Sequence, residues 1–373
     1  MQLRLSLLLL CVLPTVVFTW KQGCISKPVG FGYRTTGGAG GKTVTPRNTN
    51  ELKNYLASNQ KLIINLDRTY DFTNSEGWAT TTGCYFQKCG SGFQESLAHA
   101  GTCNGKKSTT VKYAKAGTTE LLVGSNKSIV SYNGKGAIKG KGLRIKDAQN
   151  VIIQGITISD INPEVIWAGD ALAFDNVKNV WIHKCTFKRI GRQHLVSYQK
   201  SNTGITVSSC LFDGTSSNAA FCDGKHYWVW LFWGTHDEIT LFNNRVVNTA
   251  GRTPHTGGWS KSWNFVHLIG NEFDTNPHTG IEPKLGANIL AEGNYFIKFA
   301  NPYDPFNSKG GHLALINDGN QAAKCKKYFG QNCKINKYSG CVVKTWFDES
   351  VLSQFSKLDR NAINGARNAE CEV

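Results

Sequence analysis

The amino-acid sequence predicts an all-β protein that folds as a right-handed, single-stranded parallel β-helix with long loops. The composition is the first reason: 39 glycines, one methionine and 18% charged residues disfavour a coiled coil or a helical bundle. The second is an alternation of apolar residues with period two, which is typical of strands. The third is the return of this alternation, unit after unit, through the middle of the chain. Such a repeat indicates stacked units that bury their apolar faces against one another.

The repeat extends from about residue 120 to about residue 300. Asn150–Ile158 and Asn179–Phe187 show it clearly, because in both an opening polar residue precedes alternating apolar ones. The spacing of the units is in the range typical of solenoids. A leucine-rich horseshoe is the structural alternative, but its LxxLxL pattern is absent. The residues that follow the opening polar position in successive units are Val151, Val180, Ile205, Ile239, Phe265 and Ile289.

One repeat interval is longer than the others. It runs from Ile205 to Ile239 and predicts an additional loop after Phe212, from Thr215 to Thr235. Loops on a rigid solenoid are where binding and catalysis most often occur. We therefore expect functional residues in and around this loop.

The two ends of the chain differ from the repeat. Residues 1–19 predict a secretory signal peptide, with Arg4 before an apolar core that is too short to span a membrane; a retained anchor is the alternative. Residues 20–373 then form one secreted, extracellular domain with its core coils at about 120–300. Residues 24–120 are expected to wrap the first coils, and a tail at about 305–373 to cross or cap the solenoid. No other apolar run approaches the length of a membrane span.

Twelve cysteines are present, and eleven remain after removal of the signal segment. Export makes disulfides the first explanation, and the odd number leaves at least one thiol unpaired within the chain. A zinc site between Cys84 and Cys103 is the alternative, although no CxxC pair or suitably spaced histidine accompanies it. Cys185 and Cys210 occupy one repeat position, where they either stack as small apolar residues or bond. Asn126-Lys127-Ser128 is a sequon and predicts glycosylation of Asn126.

Basic and aromatic residues gather in loops that follow two of the repeat strands. Arg189–His194 follows one strand and Ala250–His255 another, so stacking should place both loops on one side, with Asp170 entering the preceding coil. Rings stack on the apolar faces of sugars and arginines bind carboxyl oxygens, which favours a sugar polymer bearing carboxylates or esters. The alternative interpretation is that the tryptophans are core and the arginines structural. The aromatic residues concerned are Tyr227, Trp228, Trp230, Trp233, Trp259 and Trp263.

The formal net charge of +16 admits nucleic acid, a membrane surface or an acidic polymer as a partner. Export and the lack of a run of five basic residues disfavour nucleic acid. The Gly-Gly-x-Gly-x-Asp repeats of calcium-binding β-helices are absent, which excludes that class.

Together these stretches resemble the pectin lyases, the branch of the first polysaccharide lyase family that acts on methyl-esterified pectin. The resemblance keeps the family's order from Trp167 to Phe296. The matching stretches are Trp167–Leu172, Asn179–Ile182, Arg189–His194, Cys222–Trp228, Gly251–Pro254 and Ala291–Phe296.

The resemblance implies endo-acting β-elimination at the 1,4 linkage of methyl-esterified polygalacturonan by a monomer without a cofactor. It implies that Arg252 is the base, that Arg192 is a second arginine beside it and that Asp170 is the acidic residue of the preceding coil. His255 stands where the family usually has a lysine and is only partly protonated near neutral pH. The expected substrate-binding residues are Arg189, Trp167, Trp228, Trp230, Trp233 and His255.

The resemblance also implies three disulfides, Cys84–Cys103, Cys89–Cys222 and Cys325–Cys333, the last in the C-terminal tail. No calcium is expected, because the Arg189–His194 loop is basic and calcium takes about six to eight oxygen ligands.

Three other functions remain open from the sequence. A calcium-dependent pectate lyase is the nearest. A β-helix glycosidase would need paired carboxylates, and no Asp-Asp pair lies near Arg192 or Arg252. A non-catalytic wall-binding protein could use the same scaffold, since a fold does not fix a function.

Overall fold

A computed structural model of the chain describes residues 25–89, 92–216, 220–304, 310–341 and 345–369. The predicted signal segment, Cys24 and Cys371 lie outside the described residues. Within them, no helix combines the length and the apolar character needed to cross a membrane.

The chain forms the predicted parallel β-helix. Twenty-three strands are joined in one hydrogen-bonded sheet that winds through successive coils. The strands of the first face are Lys42–Val44, Leu62–Asn65, Leu121–Val123, Lys127–Val130, Leu143–Gln154, Leu172–His183, Leu195–Ser197, Ser201–Ser208, Trp230–Phe232, His236–Phe242, His255–Thr256, Asn264–Ile269, Ala287–Glu292 and His312–Leu315. Those of the second face are Thr69–Asp71, Ala137–Lys139, Thr157–Ile161, Thr186–Ile190, Leu211–Asp213, Arg245–Val247, Glu272–Pro283, Tyr295–Tyr303 and Lys337–Ser339.

The register of the coils confirms most of the predicted repeat and corrects one position. Val151, Val180, Ile205 and Ile239 are paired from coil to coil and fully buried. The next residue in this row is Val266, whereas the sequence predicted Phe265. A shift of one residue turns a side chain to the opposite face. The sequence hides this register because Phe265 and Val266 are both apolar. Val266 points into the coils, whereas Phe265 points outward and is covered by a helix of the tail.

A row of polar side chains stabilises one turn inside the solenoid. The backbone N–H of each asparagine donates to the Oδ1 of the next at 2.8–2.9 Å. Cys185 and Cys210 occupy the same position in earlier coils, with 3.3 Å from Cys185 N to Cys210 Sγ. Both cysteines are buried and form no disulfide, so they stack as small apolar residues. The asparagines of the row are Asn244, Asn271, Asn294 and Asn336.

The coils extend beyond the predicted window of about 120–300. Lys42–Val44 and Leu62–Asn65 already belong to the first face, and Lys337–Ser339 is a late strand of the second. The segment before residue 120 therefore supplies coils as well as wrapping them. Helix α1, Thr49–Ala57, buries Leu52 and Leu56 against the first coils.

The tail both crosses and caps the solenoid, which are the two roles expected for it. Its helices are α2 (Gly319–Phe329), α3 (Glu349–Phe355) and α4 (Arg360–Asn368). The ring of Phe355 lies 5.5 Å from that of Phe265, so this helix covers the outer surface of the first face. Trp346 packs against Tyr303 at 5.2 Å and against the end of the core.

A separate sheet beside the coils was not predicted. Trp78–Cys89 pairs antiparallel with Gly92–Leu97 and with Ser108–Ala114, and Val165–Ile166 joins its edge. We call these four strands the side sheet. The repeat pattern is absent from most of this segment, because the side sheet packs against the solenoid instead of continuing it.

Among the described cysteines there are three disulfides, and they are the pairs implied by the resemblance. Cys84–Cys103 closes the loop at the end of the side sheet, and Cys89–Cys222 ties the side sheet to the long loop of the solenoid. Cys325–Cys333 lies in the tail. Cys341 forms no disulfide with another described cysteine.

Candidate active site

The candidate site lies where the chain turns from the second face to the first. Backbone hydrogen bonds stack the loops of four successive coils: Ala171 N donates to Gln193 O, His194 N to Trp228 O, and Trp230 N to Arg252 O. The loops that carry Asp170, Arg192, Trp228 and Arg252 therefore lie in this order along the axis. The expectation that these loops share one side is confirmed.

The stacking also corrects the expected neighbourhood of the two arginines. The coil of Tyr227 and Trp228 separates the Arg192 coil from the Arg252 coil. Since parallel strands are about 4.8 Å apart, the two backbones are about 10 Å apart. The long loop hid this in the sequence, because its end returns to the sheet as the strand Trp230–Phe232.

Arg192 is held by an acidic residue and an aromatic ring. Its Nη1 lies 3.0 Å from Oδ2 of Asp170, and its guanidinium carbon lies 4.0 Å from the ring centre of Trp167. The other oxygen of Asp170 accepts the backbone N–H of Gln193 at 2.8 Å. Asp170 is only 5% exposed. The guanidinium is therefore fixed as a cation over a π face.

Arg192 borders a first cleft of about 600 Å³. The side sheet and the loop between Gly92–Leu97 and Ser108–Ala114 form one wall of this cleft, and the solenoid forms the other. The ring of His99, from that loop, lies tilted against Trp167 at 4.7 Å between ring centres. Other residues that line the first cleft are Thr81, Tyr113, Glu120, Asp170, Tyr198 and Trp233.

Arg252 borders a second cleft of about 440 Å³. Its guanidinium carbon lies 5.5 Å from the ring centre of Tyr227. Trp167 lines both clefts, so the two clefts meet at this indole. Other residues that line the second cleft are Phe86, Lys106, Phe221 and Trp228.

Glu282 is a buried carboxylate behind Arg252 that sequence reasoning missed. Its Oε1 accepts the backbone N–H of Arg252 and the hydroxyl of Tyr227, each at 3.1 Å, and its Oε2 lies 3.0 Å from Nδ1 of His255. The coil register pairs His255 directly with Glu282. The separation of 27 residues between His255 and Glu282, which falls within the spacing of the repeat, was the signal in the sequence that could have found it.

The protonation of this group follows from burial and from its partners. Burial alone would raise the pKa of Glu282, but the hydrogen bond of His255 and the charge of Arg252 lower it overall. Burial, together with the charge of Arg252, lowers the pKa of His255 by more than Glu282 raises it. At neutral pH the site thus holds a carboxylate and a neutral imidazole whose Nδ1–H donates to it. Burial and the charge of Glu282 raise the pKa of Tyr227 to about 12.

Three of the expected substrate-binding residues lie outside the linings of the two clefts: Trp230, Arg189 and His255, whose Nδ1 points to Glu282. Trp230 is fully buried inside the coils, with its ring 4.9 Å from that of Phe212, so the prediction that it binds substrate is wrong. It occupies an inward position of a strand. Arg189 pairs with Asp160 at 2.8 Å and is not among the residues that line the two clefts. Trp167, Trp228, Trp233 and Arg192 do line them.

The residues around Asp170 do not fit a calcium ion. Both oxygens of Asp170 are engaged by Arg192 and Gln193, and the guanidinium lies where a cation would bind. Calcium needs about six to eight oxygen ligands. Across the described ranges, no group of three or more His, Cys, Asp or Glu residues could hold a metal ion.

Comparison with known proteins agrees with this geometry. The pectate lyase family matches residues 96–357 of the chain. The chain belongs to this family. A probable pectin lyase B of Aspergillus niger is 38% identical over 339 residues, which cover 90% of this chain and 88% of that protein. Pectin lyase B of Emericella nidulans is 36% identical over 359 residues, 95% of this chain and 93% of its own.

Solved structures of the family share the fold. A pectate lyase from Paenibacillus sp. 0602 superimposes with a TM-score of 0.54 at 14% identity, covering 84% of this chain and 82% of its own. A pectate lyase from Acidovorax avenae subsp. citrulli gives a TM-score of 0.52 at 16% identity, with coverages of 88% and 87%. At these identities the likeness concerns the β-helix alone.

Proposed function

We propose that the protein is a secreted, monomeric, endo-acting pectin lyase that cleaves methyl-esterified polygalacturonan by β-elimination. The observation that carries the proposal is the guanidinium of Arg192 on Asp170, at the place where a metal-dependent lyase would need a cation site. A methyl ester carries no charge for a metal to neutralise, and it already withdraws electrons from C5. The relatives named pectin lyase, at 36% and 38% identity, support the same substrate.

The two arginines would act on one sugar residue placed near Trp167, where the two clefts meet. Arg252, in its unprotonated form, takes the C5 proton, and Arg192 stabilises negative charge on the ester carbonyl as that proton leaves. The electron pair of the C5–H bond forms the C4–C5 double bond, the C4–O bond breaks, and the departing oxygen takes up one proton, which balances the proton that Arg252 releases before the next turnover. No water is consumed, and one product ends in an unsaturated sugar.

The aromatic residues would hold the polymer on either side of the reacting sugar. Trp233 lines the first cleft and Trp228 the second, and rings of this kind stack on the apolar faces of sugars. His255 contributes through Glu282, since its Nδ1 points to that carboxylate. Glycosylation of Asn126 stays a prediction; its Oδ1 accepts from Nδ2 of Asn150 at 2.9 Å.

One assay separates the candidate functions. The purified protein is incubated with highly esterified pectin and excess chelator, and the ultraviolet absorbance of unsaturated products is followed. We expect a signal that the chelator leaves unchanged. Activity that needs added calcium and prefers unesterified polygalacturonate would instead identify a pectate lyase, and no activity on either polymer would favour a wall-binding protein.

A further inference from the structure

We propose that Glu282 is a positioning residue that fixes Arg252 for the elimination. The inference rests on the proposed function, because Arg252 is assigned there to the C5 proton. Glu282 is 4% exposed and lies behind Arg252, so it reaches the reaction only through other residues.

The backbone of Arg252 has an unusual conformation. Its φ of 51° lies in the left-handed region, which a residue with a side chain adopts at a cost of about 1 kcal/mol or more. The N–H of Arg252 donates to Oε1 of Glu282 at 3.1 Å, which compensates this cost at the position where it arises. Glu282 thereby selects the conformation that directs the Arg252 side chain into the second cleft.

The ring of Tyr227 lies beside the Arg252 side chain and is held by Glu282 as well. The hydroxyl of Tyr227 donates to the same oxygen of Glu282, and the ring of Tyr227 lies beside the Arg252 guanidinium. A Cβ added at Gly251 would come within 2.3 Å of the Tyr227 ring, so ring and loop fit closely. One carboxylate oxygen thus fixes both the backbone of Arg252 and the aromatic surface against which its side chain rests.

His255 holds the other carboxylate oxygen of Glu282. The Nδ1 of His255 lies 3.0 Å from Oε2 of Glu282, so the carboxylate cannot rotate away from Arg252. A neutral imidazole leaves the negative charge of Glu282 available to Arg252, whereas a lysine at this position would neutralise it. His255 and Glu282 together therefore determine the charge around Arg252.

The same strand offers a matched control. Glu272 and Glu282 both lie in Glu272–Pro283, and both are nearly inaccessible, at 2% and 4% exposure. Glu272 is also paired, with Arg245 at 2.8 Å, but it is outside the linings of both clefts. A change at Glu272 thus reproduces the loss of a buried carboxylate without touching the site.

The test compares Glu282→Gln and Glu282→Ala with Glu272→Gln and Glu272→Ala by steady-state kinetics on highly esterified pectin and by thermal unfolding. We expect Glu282→Ala to lower kcat about 100-fold and Glu282→Gln about tenfold, with KM within about threefold. Gln keeps an acceptor for Arg252, so it should rescue part of the loss. Both changes at Glu272 should leave kcat within about twofold while lowering the unfolding temperature.

The outcomes separate the two proposals. If the wild-type protein cleaves pectin but Glu282→Gln and Glu272→Gln reduce kcat equally, the positioning role is wrong and the proposed function stands. If the wild-type protein does not cleave esterified pectin, both fall together. Should Glu282→Ala fail to fold, the Glu282→Gln variant and Tyr227→Phe, which removes one of the same hydrogen bonds, decide the question.

Discussion

Among single residues, the two arginines of the site differ in what compensates their charge. The guanidinium of Arg192 is paired directly with Asp170, whereas Arg252 meets Glu282 only through its backbone and Tyr227. A guanidinium has five fixed donors and no acceptor while it is protonated. Arg192 is thus already oriented as a donor, whereas Glu282 meets Arg252 at the backbone and leaves its side chain facing the second cleft.

Replacement of Arg252 should abolish most of the activity. We expect Arg252→Ala to lower kcat by about 10³-fold, because the C5 proton loses the group that takes it. Arg252→Lys should recover little, since an ammonium cannot reproduce the planar fork. The measurement is the initial rate of unsaturated product formation. Arg189→Ala is the matched control, as it removes an arginine outside the clefts; near-full activity in both Arg252 variants would refute the assignment.

The imidazole of His255 predicts a pH dependence. Its lowered pKa makes it neutral at pH 7 and cationic only under acid conditions, while the lowered pKa of Glu282 keeps the carboxylate ionised longer. The charged groups that face His255 are Glu282, Arg252 and Lys284. We expect the slope of kcat/KM against pH to be flatter in His255→Lys than in the wild type below about pH 6.5, because the lysine stays charged. His312→Lys, near the tail, should leave the profile unchanged.

Two tryptophans close in sequence should respond differently to truncation. Trp233→Ala should raise KM several-fold with little change in kcat, because Trp233 lines the first cleft. Trp230→Ala should lower the free energy of unfolding by about 3–5 kcal/mol, because it empties a core site. Kinetics and urea unfolding of both variants distinguish the roles. An equal rise in KM for the two would contradict the core position of Trp230.

Among the secondary-structure elements, helix α4 is fastened to the solenoid by one buried ionic cluster. Arg367 of α4 reaches Oε1 of Glu292 at 2.7 Å, and Nε2 of His267 lies 2.8 Å from the same oxygen. All three side chains are inaccessible to solvent or nearly so. Burial would raise the pKa of Glu292, but Arg367 and His267 lower it to about 2. The carboxylate is thus charged at neutral and mildly acidic pH.

This cluster makes the anchoring of α4 dependent on pH. The pKa of Glu292 is lowered in the folded state, so its contribution is present above the unfolded value of about 4.3 and is lost as pH falls toward 2. We expect Arg367→Ala to destabilise the protein by about 3–5 kcal/mol at pH 7, because it leaves a buried charge unpaired. Urea unfolding at pH 7 and near pH 2.5 measures this.

The control for the α4 cluster lies on the same helix. Arg360 is exposed and donates to the backbone oxygen of Tyr328 at 3.0 Å. Arg360→Ala should change stability by less than about 1 kcal/mol. If Arg367→Ala costs no more than this, or costs the same at both pH values, the cluster does not fasten the helix.

Over the full chain, a net charge of +16 is carried by a protein in which only 18% of residues are charged. Only a small part of that excess lies at the site, in Arg192, Arg252 and Lys106. The remainder creates a positive field that attracts anionic polymer over distances of about 10 Å at ordinary salt. The long-range attraction of the polymer is thus carried mainly by charges outside the site.

Salt should separate the two contributions. Between about 0.02 and 0.5 M salt, we expect KM for sparsely esterified pectin to rise steeply, because the field that attracts free carboxylates is screened. KM for fully esterified pectin, which lacks those charges, should change much less. The comparison of the two polymers at equal chain length is its own control. Equal salt dependence would show that the net charge plays no part in binding.

The solenoid could be predicted from the sequence alone, because period-two alternation and its return in successive units are patterns of residue type along the chain. The resemblance added the roles of Arg192, Arg252 and Asp170 and the three cysteine pairs. The structure shows the Arg192–Asp170 contact and the three disulfides. These features depend on residue type and order, which a sequence records directly.

The face that each strand residue takes, and what meets it from other coils, emerged only in the folded molecule. Trp230 and Phe265 are apolar residues whose inward or outward position depends on register, and a shift of one residue reverses it. The side sheet and Glu282 reach the site from segments far away in the chain. The sequence contains the groups that do the chemistry, while their distances and charge states arise only when the coils stack.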